Sequence, residues 1–360
     1  MKKKQWILGL LVLVALAAVV IWGCDRIHFD FAVFRSQLAL ADWQRIGIAT
    51  GCIYLGYVFR SVRWSMLLRH NKNVPMLSLL GTQVIGFTAV ALIGRVADPV
   101  RPYLVSRKTS LPLSSQFAVY IVERLFDLGS MALLFSSVIL LAPAGAMPHP
   151  EIVKKAGYGG MLFTFAGALF LVIVRLAGGI VASFFEHIFG LVSKSLAEAA
   201  GHKIRAFHAG LDTMRTFSDF AVAAGLSLSM WCLILFAYLE CTRAFTRSPE
   251  LASMTLAKCM LLLAFSGTAS IFQLPVLGWF TQIGLVAAAL SSFLGVTAEA
   301  ATACAATILL VTFLSIVPIG LVWAQFEHVS LRKITHESEE AEVKLESEPA
   351  NQTEPPDWGG

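Results

Sequence analysis

The chain has 360 residues, of which 57% are hydrophobic and 14% charged, and its formal net charge is +5. Soluble domains carry about 25% charged residues, so a water-soluble globular protein is excluded and the surplus of apolar side chains must face lipid. The basic residues cluster at the ends of apolar runs, which is how topology signals and anionic-lipid contacts are distributed; a nucleic-acid surface is not indicated.

The chain opens on "MKKKQWILGLLVLVALAAVVIWGCD". Its apolar run, Trp6 to Trp22, is longer than the core of a signal peptide, and bulky Trp22 stands where a cleavage site needs a small residue. The expectation is an uncleaved helix with its lysines in the cytoplasm. Further apolar runs of spanning length lie near 43–68, 113–142, 157–176, 219–241 and 298–326, with the first near 5–23. Each meets or nearly meets the ~20 residues needed to cross ~30 Å of hydrocarbon. Three others, 77–94, 252–272 and 276–296, carry glycine and end in or near proline or glycine. The predicted fold class is all-α, a polytopic integral membrane protein of about six to eight transmembrane helices.

Charge arbitrates the ambiguous runs. The connection at 60–72 carries Arg60, Arg63, Arg69 and Lys72, and that at 95–108 carries Arg95, Arg101, Arg107 and Lys108. A full crossing by 77–94 would place these equally basic loops on opposite sides, whereas a re-entrant segment puts both in the cytoplasm. It also places the basic 175–215 stretch there. Irregular backbone at membrane depth survives only where it is buried in protein or lines a wet cavity, so a re-entrant 77–94 implies a cavity. Segments 252–272 and 276–296 meet at "IFQLPVLGW", where Pro275 and Gly278 are expected to break the helix. Two interrupted elements entering from opposite faces suggest an inverted repeat, a topological expectation without residue-level identity between the halves.

Within 183–217, Ile204, Phe207, Leu211 and Met214 form an apolar stripe, which fits either a helix lying on the bilayer or a linker helix packed on the protein. After Phe326 the character changes: "HESEEAEVKLESEPANQTEPPDWGG" is acidic and nearly free of apolar residues. The expected organisation is a membrane domain at 1–326 and a disordered cytoplasmic tail at 327–360.

Glu123, Arg124 and Asp127 lie inside an otherwise apolar run. Glu123 is about 15 Å along a helix beginning at Leu113, and it shares a face with Asp127; Arg124 can reach Asp127 one turn on. Charges at membrane depth cost about 2.5–3.5 kcal/mol each, so three together need partners or water. An Arg124–Asp127 pair locking helices together is the bland reading, and a polar site is the functional one. Upstream, "IGRVADPVRPYLVSRKTSLPLS" places Arg95, Asp98 and Arg101 beside Pro99 and Pro102, which are expected to prevent a regular helix. Arginine forks match phosphate oxygens better than lysine does. Joined with the helix charges, these residues would form a pocket open to the cytoplasmic leaflet and able to hold a phosphorylated head group. A simple positive-inside anchor is the alternative.

No metal, cofactor or catalytic constellation is legible. Cys24, Cys52, Cys232, Cys241, Cys259 and Cys304 are scattered without paired spacing, and the histidines form no HExxH motif. A phosphate-binding GxxxxGK[ST] run is also missing, which excludes ATP hydrolysis by a P-loop in this chain.

The run "GRVADPVRPYLVSRKTSLPLSSQFAVYIVERLFDL" (Gly94 to Leu128) resembles the signature of the lysylphosphatidylglycerol synthase transmembrane-region family, roughly "PGRxGExxRxxxL…(V/L)xERxxD". It falls on Gly94, Arg95, Asp98, Arg101, Glu123, Arg124 and Asp127; Ile93, Ala97 and Asp98 replace the family's proline, glycine and glutamate. A second motif, roughly "LPxxPGGxGxxE", is reduced to "LPVLGWFTQ", keeping Leu274, Pro275 and Gly278, with Gln282 near the usual glutamate. The resemblance implies a bacterial inner-membrane protein that moves lipids or lipid-linked head groups between leaflets. The family's best-known members add a soluble aminoacyltransferase domain for which these residues leave no room, so no synthase or other enzyme activity is expected. The implied function is a flippase for an anionic or phosphate-bearing lipid, with both termini cytoplasmic and membrane lipids as its partners. The alternative is a non-transporting scaffold for a separately encoded envelope glycosyl- or aminoacyl-transferase. A third, an intramembrane enzyme on lipid phosphates, lacks a nucleophile–base pair.

Overall fold

Two aspartates set the first described helices. Asp30 accepts from the backbone N–H groups of Ala32 and Val33 and caps α1 (Phe31–Ala39), and Asp42 does the same through Gln44 and Arg45 for α2 (Trp43–Leu68). The structure is a computed structural model and describes residues 29–143, 150–191, 193–194, 197–201, 204, 216–269 and 277–347. After α2 come α3 (Met76–Ile93), a 3-10 turn at Arg95–Ala97, α4 (Val100–Thr109), α5 (Leu113–Leu140) and α6 (Pro150–Gly190), the last kinked at Ala177. They are followed by α7 (Phe217–Arg243), the short α8 (Pro249–Ala252), α9 (Leu256–Ala269), α10 (Leu277–Leu294), α11 (Ala298–Leu309), α12 (Ile316–Phe326) and α13 (Leu331–Ser347). Among the described residues the regular structure is entirely helical, as expected.

Among the described residues, four stretches are long and apolar enough to cross a membrane: Met76–Ile93, Pro150–Gly190, Phe217–Arg243 and Ala298–Phe326. Helix α6 leaves Leu162, Phe163, Phe165, Leu169, Leu176 and Ile180 exposed, which suits lipid and not water. Helices α2 and α5 have the length, 26 and 28 residues, but carry buried charge. The run 298–326 is continuous through a π turn at Leu310–Leu314. Pro318 has no N–H for the carbonyl one turn back, so the ladder shifts register ahead of it. Neighbouring side chains also bond carbonyls just past the turn: Tyr54 donates to Ser315 O at 2.9 Å and Thr88 to Ile316 O at 3.3 Å.

The ambiguous 77–94 segment is one unbroken helix, α3, folded back on α4 as a hairpin. Its tip is Gly94, whose φ of 92° is open to glycine and strained for other residues. Its base is closed by Lys72 Nζ, which donates to the Thr109 carbonyl at 2.8 Å. The expectation that Pro99 and Pro102 break regular structure is corrected. Pro99 is the N-cap of α4 and Pro102 lies in its first turn, where backbone N–H groups have no helical acceptor, so the two prolines start a helix.

A second hairpin, α9–α10, opens at the opposite end of the bundle. Arg243 at the end of α7 donates to Met254 O just before α9, and Asp42 at the start of α2 bonds the Ala244 carbonyl, whereas the base of the first hairpin adjoins the far end of α2. The two hairpins touch near their tips, where Trp279 Nε1 donates to Ala91 O at 3.0 Å. Gly278 is a residue of the first turn of α10 and not a break; Pro275 lies outside the described residues.

Residues 331–347, expected to be disordered, form α13 docked on the first hairpin. Ile334, Thr335 and Ser338 are buried on one face, and Glu337 reaches Tyr103 Oη at 3.1 Å and Arg107 at 3.5 Å. Beside them Lys108 pairs with Glu327 at 2.6 Å, and Lys333 with Glu337 at 3.7 Å within the helix. A composition dominated by charge hides so narrow a stripe. The expected helix at 5–23, the positions Phe207, Leu211 and Met214, and the tail beyond 347 lie outside the described residues.

Candidate functional site

Helical spacing makes the site. Arg60 and Arg63 are three apart on α2, and Glu123 and Asp127 are four apart on α5, so each pair presents one face. The two helices bring those faces together. Arg63 is bidentate across both carboxylates, Nη2 to Glu123 Oε1 and Nη1 to Asp127 Oδ1, each at 2.7 Å, and it also donates to Ser227 Oγ on α7. Arg60 Nη1 reaches the same two carboxylates at 3.1 Å. From α4, Arg101 lies 3.3 Å from both Glu123 oxygens and 3.0 Å from Gln83 Oε1 on α3.

All four oxygens of Glu123 and Asp127 therefore accept from arginine. The arginines are held by more than charge. The Arg101 guanidinium lies 4.6 Å from the Phe87 ring, 5.1 Å from Tyr120 and 5.6 Å from Trp64, and Arg60 lies 5.1 Å from Phe87. Gly86 lets the Arg101 stem lie against α3, since a Cβ there would overlap Arg101 Cγ. Side-chain exposures of Arg60, Arg63 and Arg101 are 11%, 1% and 0%. Two buried cations, Arg63 and Arg101, and the partly buried Arg60 thus face two buried anions, an excess of one positive charge.

The sequence-predicted residues divide. Arg101, Glu123 and Asp127 come together in this core. Arg124 does not pair with Asp127; it faces the other way and bonds Asp98 at 3.0 Å and Tyr120 Oη at 3.0 Å, because Arg60 and Arg63 already hold Asp127. Arg95 is exposed and pairs loosely with Asp98, at 3.7 Å. Sequence reasoning missed Arg60 and Arg63, which the positive-inside count absorbed as loop charges. Their i,i+3 spacing before "SMLL" in a run that also carries apolar Trp64 was the available signal. Gln282 of the second motif sits apart, donating at 3.1 Å to Ser266 Oγ, which Tyr238 also reaches at 2.7 Å.

The lysylphosphatidylglycerol synthase TM region model matches residues 6–320, nearly the whole chain. The chain belongs to this family. Neither a curated protein nor a solved structure matches it. In this family member the signature residues are divided between a buried ion network, through Arg101, Glu123 and Asp127, and a more exposed pair, Asp98 with Arg124. The described residues contain no cluster of histidine, cysteine or acidic side chains able to hold a metal.

Proposed function

We propose that this family member is a membrane transporter that moves an anionic or phosphate-bearing lipid between leaflets of the bacterial inner membrane. The observation that carries the reading is the excess of arginine over carboxylate in this core, buried Arg63 and Arg101 and partly buried Arg60 against Glu123 and Asp127. A cation held in the interior without a matching anion is costly, and a ligand that brings a negative charge removes that cost. The reading also draws on the first hairpin. With Lys72, Arg107 and Lys108 at its base, that end faces the cytoplasm by the positive-inside rule, and the hairpin is re-entrant. The second hairpin enters from the other face and meets it at Trp279 and Ala91, the arrangement of opposed elements around a midplane site. Arg101 and Glu123 are occluded in this conformation, so a head group reaches them when α3–α4 moves against α5.

The protein acts here without enzymatic chemistry, and both termini are cytoplasmic. Purified protein in liposomes is tested by leaflet exchange of labelled anionic and zwitterionic phospholipids. The proposal expects protein-dependent exchange that favours anionic head groups. Exchange no faster than in empty liposomes would leave a scaffold for a separate envelope enzyme as the better reading.

A further inference from the structure

The basic base of the first hairpin is covered by two carboxylates from later in the chain. A cavity of about 520 Å³ lies between α4 and the start of α13, lined by Arg107, Lys108 and Lys333 together with Glu327 and Glu337. Three donors converge on the Glu337 carboxylate. Tyr103 Oη and Arg107 Nη1 reach Oε2 at 3.1 and 3.5 Å, and Lys333 Nζ lies 3.7 Å from Oε1. Lys108 Nζ meets Glu327 Oε1 at 2.6 Å. Each acid sits where a cationic surface would hold an external anion.

These contacts hold α13 lightly. The side chains of Arg107 and Lys333 are 63% and 78% exposed, so their ion pairs are screened and individually weak. Apolar support is narrow: Ile334 is buried in one cluster with Val100 and Leu104, and Leu331 is partly buried beside it. A helix held this way opens locally while the bundle stays folded.

A charged bilayer supplies the competing field. Anionic head groups attract lysine and arginine within a Debye length of the surface and repel carboxylates there. The same field therefore pulls on Arg107 and Lys108 and pushes away Glu327 and Glu337. Both effects weaken the α4–α13 contact. Helix α4 carries the consequence inward, since its Arg101 is fixed to Gln83 and Glu123 while its Tyr103 and Arg107 are held by Glu337.

We propose that Arg107 and Lys108 form a docking surface for an anionic membrane leaflet, and that α13 is a strap that masks it. A neutral leaflet leaves α4 clamped, and a charged one frees it. The proposal rests on the transport reading, in which the hairpin base lies at the membrane surface and movement of α4 opens the site, and it supplies the regulation of that site.

The test is hydrogen exchange of the full chain in lipid nanodiscs, at about 0.1 M salt, where charge acts over about 10 Å. One set of discs is phosphatidylcholine alone, and the other is equal parts phosphatidylcholine and phosphatidylglycerol. Both leaflets of a disc are alike, so the result does not depend on which face the base occupies. Amides in 331–341 and 98–109 should exchange at least tenfold faster in the anionic discs, while those of α7 stay unchanged. Inorganic phosphate added to the neutral discs should not reproduce the release. Glu337→Lys should release the strap in neutral discs as well. Adding Arg107→Glu to that variant reverses the ion pair and should restore slow exchange in both kinds of disc, because the position that faced the leaflet as a cation is then a carboxylate. Equal exchange in the two kinds of disc, release by inorganic phosphate to the same extent, or a full lipid response in the reversed pair would each overturn the proposal. Lipid-dependent release without leaflet exchange in liposomes would remove only the transport reading. Leaflet exchange by a chain whose α13 ignores the lipid would remove only the strap.

Discussion

Arg63 and Asp127, 64 residues apart in sequence, meet at 2.7 Å in the interior of the bundle. The same guanidinium holds Glu123 at 2.7 Å, so one side chain fastens α2 to α5 at two points. Removing one partner of a buried ion network leaves the others desolvated and unpaired, at a cost of about 3–5 kcal/mol. Arg63→Ala should therefore lower stability by about that amount, read as the unfolding midpoint in detergent. Arg95→Ala, an exposed charge in the same sequence neighbourhood, should change it by less than about 0.5 kcal/mol. Equal effects from the two would show that the buried network does not hold the helices.

The hairpin makes a topological prediction. Asn71 and Arg107 flank the two sides of its base, near the Lys72–Thr109 contact. In a cysteine-free background, Asn71→Cys and Arg107→Cys should both react with a membrane-impermeant thiol reagent from the cytoplasmic side. Glu250→Cys, on the short α8 next to the opening of the second hairpin, should react only from the other side. Labelling of Asn71→Cys and Arg107→Cys from opposite sides means that α3 crosses and α4 does not return.

Helix α13 changes what truncation should do. Were the segment after Phe326 disordered, its deletion would be silent. In the structure it buries Ile334 and ties Glu337 to α4 through Tyr103 and Arg107. Burying a side chain of this size stabilises by about 1.5–3 kcal/mol. Ile334→Asp should lower the unfolding midpoint and raise hydrogen exchange across 98–109, while Glu339→Lys should do neither. Exchange in 98–109 that stays at the wild-type level in Ile334→Asp would show that α13 does not brace α4.

Much of this was legible in the sequence, and the failures have physical causes. Length and hydropathy place α2, α5, α7 and the α11–α12 run almost residue for residue, because a bilayer imposes a length that composition reveals. The coming together of Arg101 with Glu123 and Asp127 followed from the cost of charge at depth. The pairing did not. Arg124 was the local partner for Asp127, and local spacing cannot see that α2 delivers two arginines to the same carboxylates. Pro99 and Pro102 read as breakers in the sequence, but the place where a helix starts, and not the residue type, decides whether a missing N–H matters. The α13 stripe of Leu331, Ile334, Thr335 and Ser338 has only two large aliphatic residues, too few for composition to register.

Arg101→Lys separates head-group capture from simple anchoring. Lysine keeps the positive charge that topology requires but loses the planar fork. At this position the fork spans Gln83 and Glu123 while its faces rest on Phe87, Tyr120 and Trp64, and an ammonium cannot occupy all of those contacts at once. If the stretch around Arg101 is only a topology signal, the variant should insert, fold and exchange lipid as wild type does. If the guanidinium holds the head group, a charge-assisted hydrogen bond worth about 1.5–3 kcal/mol is weakened. Anionic-lipid exchange should then slow by roughly tenfold to a hundredfold at unchanged protein level, since 1.4 kcal/mol is a factor of about ten. Gly86→Ala supplies the independent arm. Its new Cβ collides with the Arg101 stem, so it should slow exchange in the same direction without altering any charge. Wild-type exchange in both variants, in preparations where the unmodified protein exchanges measurably, would return Arg101 to the role of an anchor.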